Sequence, residues 1–168
     1  MLSDRDIKNL IDDKKLIIKP FRQKNVGCAS IDLTLGNIFI RYENAIDTRS
    51  NNISRKLFKS SNILLEPGQF VLGVTKEKIE IPNGYYGFIE TRGNFSRAGI
   101  SVSCDDGHID PGTDGLVTLE IKNNNNVPVK IHSGDLICQL FIFRLSSPCI
   151  KTYHGKYKEQ TCPTIFQK

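Results

Sequence analysis

Near the start of the chain, apolar residues recur with the spacing of an amphipathic helix. Ser3 is a favourable N-cap, and Ile7, Leu10 and Ile11 fall on one helical face. Acidic side chains in the first turn strengthen the pattern. The pattern predicts a short N-terminal helix that ends near residues 12–15.

Beyond this helix, apolar and polar residues alternate, which is typical of half-buried strands. The predicted strands cover residues 16–18, 31–35, 37–42, 70–74, 85–89, 116–121, 127–131 and 136–143. Turns containing glycine or proline separate several of them, and no helical pattern alternates with them. We therefore predict a mostly β fold of the sandwich, barrel or jelly-roll type, and we exclude a parallel βαβ sheet.

The remaining segments are predicted to be loops and a tail. Residues 44–62 are polar and rich in Asn and Ser, which predicts a mobile loop. The run Asn123–Asn126 lies between two apolar strands and predicts a tight hairpin. Periodicity is lost from residue 146 on, so residues 146–168 are predicted to form an extended tail, called the tail below. Without a repeat or a linker, residues 1–168 form one predicted domain.

The formal charge of +5 comes entirely from the C-terminal part of the chain. Residues 1–121 contain 16 Lys+Arg and 16 Asp+Glu, whereas residues 122–168 contain 7 and 2, a difference of +5. Such asymmetry is found in basic tails that bind nucleic acid and in local sites for a small polyanion such as a triphosphate. The tail has no run of five basic residues, which weakens the nucleic-acid hypothesis.

Composition and cysteine spacing exclude several other classes of protein. No apolar run approaches the roughly 20 residues that span a bilayer, and the first six residues are polar and acidic rather than signal-like. The five cysteines, an odd number without a C-x-x-C pair, favour reduced thiols over disulfides or structural zinc. We therefore expect a cytoplasmic protein with no membrane partner.

Residues 92–99, RGNFSRAG, are the first candidate for chemistry because they follow a strand and present two arginines. Backbone N–H groups at such a turn cradle phosphate oxygens, and arginine adds bidentate charge. The alternative is an ordinary polar turn that opens a short helix.

Residues 104–112, CDDGHIDPG, are the second candidate. They form either a site for a divalent metal or a sugar hydroxyl, or a plain turn.

Glu120 and the tail are the third and fourth candidates. Alternation places Val117, Leu119 and Ile121 toward the core and Glu120 on the opposite face of the strand. If that face lines a cleft, partial burial makes Glu120 a general acid and base; otherwise its side chain is solvated. Residues 153–160 combine aromatic, basic and amide groups that can fold over a nucleotide, stack on single-stranded nucleic acid, or fray.

In their order along the chain, these motifs resemble the dCTP deaminase branch of the dUTPase superfamily. The matching segments are LSDRDI (2–7), IIKPF (17–21), SIDLTLG (30–36), LEPGQFVLGVTKEKIEIP (65–82), RGNFSRAG (92–99), GHIDPGTDG (107–115), TLEIKN (118–123), GDLICQLFIF (134–143) and KYKEQ (156–160). The opening segment and TLE are features of the deaminase branch, whereas the IDPG turn is shared with dUTPases.

The resemblance implies a homotrimer of dUTPase-like distorted β-barrels or jelly rolls, with active sites between neighbouring subunits and residues 146–168 as a lid. It implies zinc-independent hydrolysis of dCTP to dUTP and ammonia, with or without cleavage of dUTP to dUMP and diphosphate. Mg2+ would accompany the triphosphate without a protein ligand of its own. The expected partners are deoxynucleoside triphosphates, dCTP or dUTP, and not nucleic acid.

The resemblance also assigns roles to residues of this sequence. Glu120 would shuttle protons, Asp110 would receive the 3′-hydroxyl and help activate water in dUTP cleavage, and Arg97 would complete the catalytic set. The implied substrate-binding residues are Arg92, Gly93, Asn94, Phe95, Ser96, Arg97, Asp106, Asp110, Thr118, Leu119, Tyr153, Lys156 and Gln160. The zinc deaminase motifs H-x-E and P-C-x-x-C do not occur in the sequence.

Several positions depart from the pattern of the deaminase branch. Gly93 and Asn94 stand where the family usually has two serines, and Asp106 stands where it has a small alanine. Thr113 replaces an aromatic residue. These changes leave three hypotheses open: a retuned deaminase, a dUTP-cleaving diphosphatase, and a catalytically weakened nucleotide-binding relative.

Overall fold

The computed structural model describes residues 1–104 and 106–166. The predicted N-terminal helix is confirmed as α1, Asp4–Asp12, in which Ser3 accepts a hydrogen bond from the Asp6 amide at 3.4 Å. Ile7 and Leu10 are buried, so one face of α1 packs on the core. None of the described helices is long and apolar enough to cross a membrane.

The predicted mostly β fold is confirmed, and all strand pairs are antiparallel. The strands are β1 (Ile17–Lys19), β2 (Ile31–Thr34), β3 (Ile38–Tyr42), β4 (Arg55–Lys59), β5 (Asn62–Leu65), β6 (Phe70–Glu80), β7 (Tyr85–Thr91), β8 (Ile100–Ser101), β9 (His108–Ile109), β10 (Asp114–Asn123), β11 (Val129–His132) and β12 (Leu136–Arg144). A short helix, α2, covers Gly93–Arg97 between β7 and β8.

The strands form two larger sheets and one strand pair. One sheet has the order β4-β3-β6-β10-β8 with β1 paired to β6, and the other has the order β2-β12-β7-β9. β5 and β11 form the separate pair. One apolar core joins these layers, with Leu33, Leu65, Val71, Ile121 and Ile137 completely buried. The long pair β6–β10 crosses this core and carries the site described below.

The prediction of a loop over residues 44–62 is wrong in its second half. β4 begins at Arg55 and pairs along its whole length with β3, and β5 begins at Asn62. Three basic residues obscure the alternation in β4, because an edge strand has little apolar surface to bury. Phe58 nevertheless stacks on the core residue Phe39, with ring centroids 5.9 Å apart.

The prediction of a hairpin at Asn123–Asn126 is also wrong. β10 continues through Asn123 in the six-stranded sheet, whereas β11 pairs with β5, so the asparagine run connects two different sheets. The buried Asn123 side chain donates to the carbonyl oxygens of Leu65 and Val127 and accepts from the Asn125 amide. The Asn123 side chain therefore satisfies three backbone groups where the chain passes from one sheet to the other.

The tail does not extend away from the domain over the described residues. Gln160 forms a parallel bridge with Gly115, and its carbonyl oxygen accepts from the Leu116 amide at 2.9 Å. Ile165 is only 8% exposed, in a small cluster with Ile40, Ile53 and Leu72. The tail therefore packs along β10 and reaches β3 and β6.

Candidate active site

A cavity of about 700 Å³ lies between β10, the turn that precedes it, and the tail. Its lining includes six of the sequence-predicted site residues: Asp106, Asp110, Thr118, Glu120, Tyr153 and Gln160. The other lining residues are Tyr42, Phe70, Leu72, Tyr86, His108, Ile109, Thr113, Leu116, Val117, Tyr157, Thr164, Ile165 and Phe166. Residues distant in sequence thus form one pocket large enough for a small organic ligand.

β10 presents Thr118 and Glu120 to this cavity through the alternation of a strand. Leu119 turns into the core and is 1% exposed, so only its main chain can reach a bound ligand. The Glu120 amide donates to the Val102 carbonyl oxygen at 2.7 Å, and the Cys104 thiol donates to the Glu120 carbonyl oxygen at 3.1 Å. The backbone of Glu120 is therefore held on both sides, and its side chain is half-buried.

The turn before β10 supplies an acidic wall to the cavity. Asp106 Oδ1 lies 3.3 Å from His108 Nδ1, and Asp110 lies on the same wall. The His108 ring packs against two aromatic rings of β7, with centroids 5.8 Å from Tyr86 and 5.7 Å from Phe88. Asp105, part of the same predicted motif, is outside the described residues.

Tyr86 is a lining residue that the sequence analysis missed. Burial raises the pKa of its phenol above the ordinary value of 10.0, and the negative charges of Asp110 and Asp106 raise it further. The phenol therefore stays neutral and is able to donate a hydrogen bond over the physiological pH range. The alternation in β7 could have identified Tyr86 as facing away from the core, but it could not have indicated a cavity there.

Asp110→Asn should lower the pKa of Tyr86, because the substitution removes a negative charge that disfavours the phenolate. The pKa should stay above its ordinary value, since burial is the largest cause of the shift. The measurement is an absorbance titration of the phenolate, with the curve of Tyr86→Phe subtracted. Asp106→Asn should give a smaller shift in the same direction. Superimposable curves for Asp110→Asn and the unmodified chain would contradict this electrostatic account.

The tail closes one side of the cavity through a compact set of hydrogen bonds. Gln160 Oε1 accepts from the hydroxyls of Thr118 at 2.7 Å and Thr164 at 2.8 Å. The Thr164 amide donates to the Thr118 hydroxyl at 3.0 Å, and Gln160 Nε2 donates to the Tyr157 carbonyl oxygen at 2.9 Å. Thr118 thus joins the central strand to two points of the tail. Lys156 is in the same segment, with its ammonium 5.2 Å from the Tyr157 ring centroid, but it does not line the cavity.

The residues predicted to bind phosphate form a second cluster, called the arginine segment (residues 92–97), and none of them lines the cavity. Arg92 Nε is 3.1 Å from Asp32 Oδ2, and Asp32 Oδ1 accepts from Gln139 Nε2 at 3.0 Å. Gly93 leaves room for the Arg97 guanidinium, because a Cβ there would lie 3.2 Å from Arg97 Nη1. One chain thus holds two separate clusters of predicted site residues.

Asp32 and Gln139 are polar residues that the sequence analysis did not single out, although both lie in matching segments. Their register explains the contact, since Gln139 of β12 is directly opposite Asp32 of β2. Asp32 is a polar residue in an alternating strand, which is the ordinary pattern of a solvated face. The Asp32 carboxylate gains its partners from the tertiary structure. The pairing of β2 with β12 brings Gln139 opposite it, and Arg92 lies beside it.

Sequence comparisons relate the chain to one family of enzymes. The profile of dCTP deaminase-like proteins matches residues 1–145. A Dictyoglomus thermophilum protein named dCTP deaminase, dUMP-forming, is 36% identical over 179 residues, which cover 98% of this chain and 92% of the relative. A protein of the same name from Aquifex aeolicus is 36% identical over 163 residues, which cover 95% of this chain and 90% of the relative.

Solved structures are similar in fold. The 2′-deoxycytidine 5′-triphosphate deaminase of Agrobacterium tumefaciens gives a TM-score of 0.65 at 22% identity, over 84% of this chain and 46% of that one. This chain therefore matches about half the length of that structure. A dUTPase variant from a Staphylococcus aureus phage, with a coordinated structural Mg(II) ion, gives a TM-score of 0.55 at 19% identity, over 83% of this chain and 97% of that one.

Proposed function

The chain belongs to the dCTP deaminase-like family, and from this membership we propose that it converts dCTP to dUMP by hydrolytic deamination followed by diphosphate release. The observation that carries the proposal is the position of Glu120, which shares one cavity with Asp110, Thr118 and the tail residue Gln160. The names of relatives that cover nearly the whole chain support the dUMP-forming outcome.

Glu120 is the proposed proton carrier of the deamination. Water adds to C4 of cytosine, a proton goes to N3, and a second proton goes to the amine that leaves as ammonia. A half-buried carboxylate on a rigid strand can accept the proton of the water and deliver it to the base. The backbone contacts of Glu120 with Val102 and Cys104 keep its position fixed during these transfers.

The tail is proposed to act as the lid of this site. Tyr153 and Gln160 line the cavity together with further tail residues, and the Tyr153 amide donates to the Pro111 carbonyl oxygen at 2.8 Å, next to Asp110. Excluding water strengthens the hydrogen bonds of the charged and polar groups inside. Lys156, in the same segment, is proposed to contact the phosphates from the rim.

Asp110 is proposed to accept the 3′-hydroxyl of deoxyribose and to help activate the water that cleaves dUTP. Mg2+ bound to the triphosphate would neutralise its negative charge. In residues 1–104 and 106–166, no three His, Cys, Asp or Glu side chains come together so as to hold a metal ion. Mg2+ is proposed to bind through the phosphates, and the arginine segment is proposed to supply the remaining positive charge.

The separation of the two clusters supports a shared site between subunits. Residues 92–97 do not line the cavity of their own chain, yet a triphosphate needs both its base and its phosphates held. We therefore propose a homotrimer in which the arginine segment of one subunit completes the cavity of its neighbour. Asp32 and Gln139 would keep the Arg92 guanidinium oriented for this role.

A dUTPase-like diphosphatase is the second candidate, because Gly93 and Asn94 replace two serines and Asp106 adds a carboxylate near the base. A carboxylate at that position can accept from an exocyclic amine, which favours cytosine, or change which base is bound. The first candidate releases ammonia from dCTP and then diphosphate, whereas the second releases diphosphate from dUTP without ammonia.

A screen of deoxynucleoside triphosphates with Mg2+, which reads ammonia and diphosphate separately, tests the proposed function. We expect both products from dCTP and diphosphate from dUTP, with Asp110→Asn losing the diphosphate. Diphosphate from dUTP without ammonia from dCTP would select the second candidate. The absence of both products from every deoxynucleotide would reject the enzymatic proposals.

A further inference from the structure

The hydrogen-bonded ladder between β6 and β10 is interrupted beside the cavity. Leu116 pairs with Lys78 and Thr118 pairs with Val74, so the three residues 75–77 of β6 lie opposite the single residue Val117. Interruptions of this kind bend a strand and change the direction of its side chains, and they are frequent next to active sites. Here the residues on both sides of Val117 line the cavity.

Thr75 replaces the missing ladder contact with its side chain. Its hydroxyl donates to the Glu77 carbonyl oxygen at 2.8 Å and accepts from the Val117 amide at 2.9 Å. Thr75 is completely buried, so water cannot take the place of either bond. One hydroxyl therefore connects the irregular part of β6 to the strand that carries Thr118 and Glu120.

The Glu77 carboxylate anchors the same irregular segment to a third strand. It is 4% exposed and accepts from the Thr34 amide at 2.8 Å and the Thr34 hydroxyl at 2.6 Å. This contact ties β6 to the end of β2 but does not touch β10. The interruption thus has two buried polar ties, of which only the one through Thr75 reaches the cavity wall.

We infer that Thr75 is a positioning residue, whose hydroxyl fixes Val117 and thereby directs Thr118 and Glu120 into the cavity. The inference rests on the proposed function for its effect on turnover. Thr118 accepts and donates the bonds that dock the tail, and Glu120 lies two residues further along the same strand. A change at Val117 is therefore transmitted to both the proton carrier and the lid.

The test compares Thr75→Val with Thr75→Ser, and uses Thr34→Val as the matched control. Thr75→Val is nearly isosteric but removes both hydrogen bonds of the hydroxyl, and Thr75→Ser keeps them. At a temperature where each variant is fully folded, kcat for ammonia release should fall roughly tenfold or more in Thr75→Val, as expected for the loss of one positioning hydrogen bond. Thr75→Ser should restore most of it. Thr34→Val should lower the Tm but leave kcat within about twofold, because it does not contact β10.

Amide hydrogen exchange gives a readout that does not depend on turnover. Exchange at Val117 and Glu120 should accelerate in Thr75→Val and remain unchanged in Thr75→Ser and Thr34→Val. If Thr75→Val does not fold, Thr75→Cys takes its place, since a thiol is only a weak hydrogen-bonding group. Thr75→Val with an unchanged kcat would overturn the inference, and so would unchanged exchange at Val117. If the unmodified chain releases no ammonia, the proposed function fails and the exchange data alone decide on Thr75.

Discussion

Glu120→Gln should remove almost all of the ammonia release from dCTP. The amide keeps the size of the carboxylate but cannot carry a proton between water and the base, so a loss of about 10²–10⁴-fold is expected. The variant should fold normally, because the Glu120 contacts with Val102 and Cys104 are made by its backbone. The measurement is ammonia release under saturating dCTP and Mg2+, with the Tm recorded in parallel.

The same assay separates the two steps proposed for this site. Glu66→Gln makes the same chemical change in an exposed turn and should release ammonia at the unmodified rate. Diphosphate release from dUTP should persist in Glu120→Gln, since Asp110 is the residue proposed for that step. Ammonia release from Glu120→Gln at the rate of Glu66→Gln would show that another group carries the proton.

A chain that ends at Thr152 should lose most of its activity while keeping its fold. The truncation removes every tail residue that lines the cavity, whereas among the described residues 153–166 it removes only two buried side chains, Pro163 and Ile165. Because closure positions the substrate as well as excluding water, kcat/KM should fall by about 10²-fold or more. The measurements are steady-state kinetics with dCTP and a thermal unfolding curve.

Thr164→Val is the milder counterpart of this truncation. It removes one hydroxyl that donates to Gln160 and leaves the rest of the tail in place, so a loss of about tenfold at most is expected. An unchanged kcat/KM in the truncated chain would mean that the tail does not close the working site. A collapse of the Tm would instead identify the tail as part of the folded core.

The parts of the fold that local sequence pattern determines were predictable. α1 has its cap and its apolar face within nine residues, and the alternation of β10 from Thr118 to Ile121 assigns Glu120 to the face opposite the core. In both elements the decisive contacts repeat every few residues, so the period alone identifies the buried face. The same alternation predicts that Thr118 and Glu120 share one face of the strand, and both line the cavity.

Long-range pairing could not be predicted in the same way. β4 was missed because its partner β3 lies across the polar loop, and the asparagine run was misjudged because Asn123 is buried between segments distant in sequence. A run of asparagines is typical of a solvated turn, and only the tertiary structure turns one of them inward. Whether such a segment is a strand or a loop depends on pairing with strands that are distant in sequence. The pattern of a single sequence does not reveal this pairing.

The candidate site also has residues that local sequence pattern identifies and residues that it does not. Glu120, Asp110 and the tail segment were identified from motifs, but Tyr86 and Thr75 were not, because each acts through neighbours that only the folded sheets bring close. The aromatic pair of Tyr42 and Phe70, with ring centroids 6.4 Å apart, lines the cavity for the same reason. Such residues belong to strands whose polar or aromatic positions look like an ordinary exposed face.

The basic edge strand β4 also affects how copies of the chain behave in concentrated solution. An unpaired strand edge exposes amide and carbonyl groups that can capture the edge of another sheet and start aggregation. Arg55, Lys56 and Lys59 place three positive charges along this edge, which repel an identical edge brought alongside. The three basic residues that make β4 difficult to predict from the sequence thus also disfavour its pairing with a strand of another molecule.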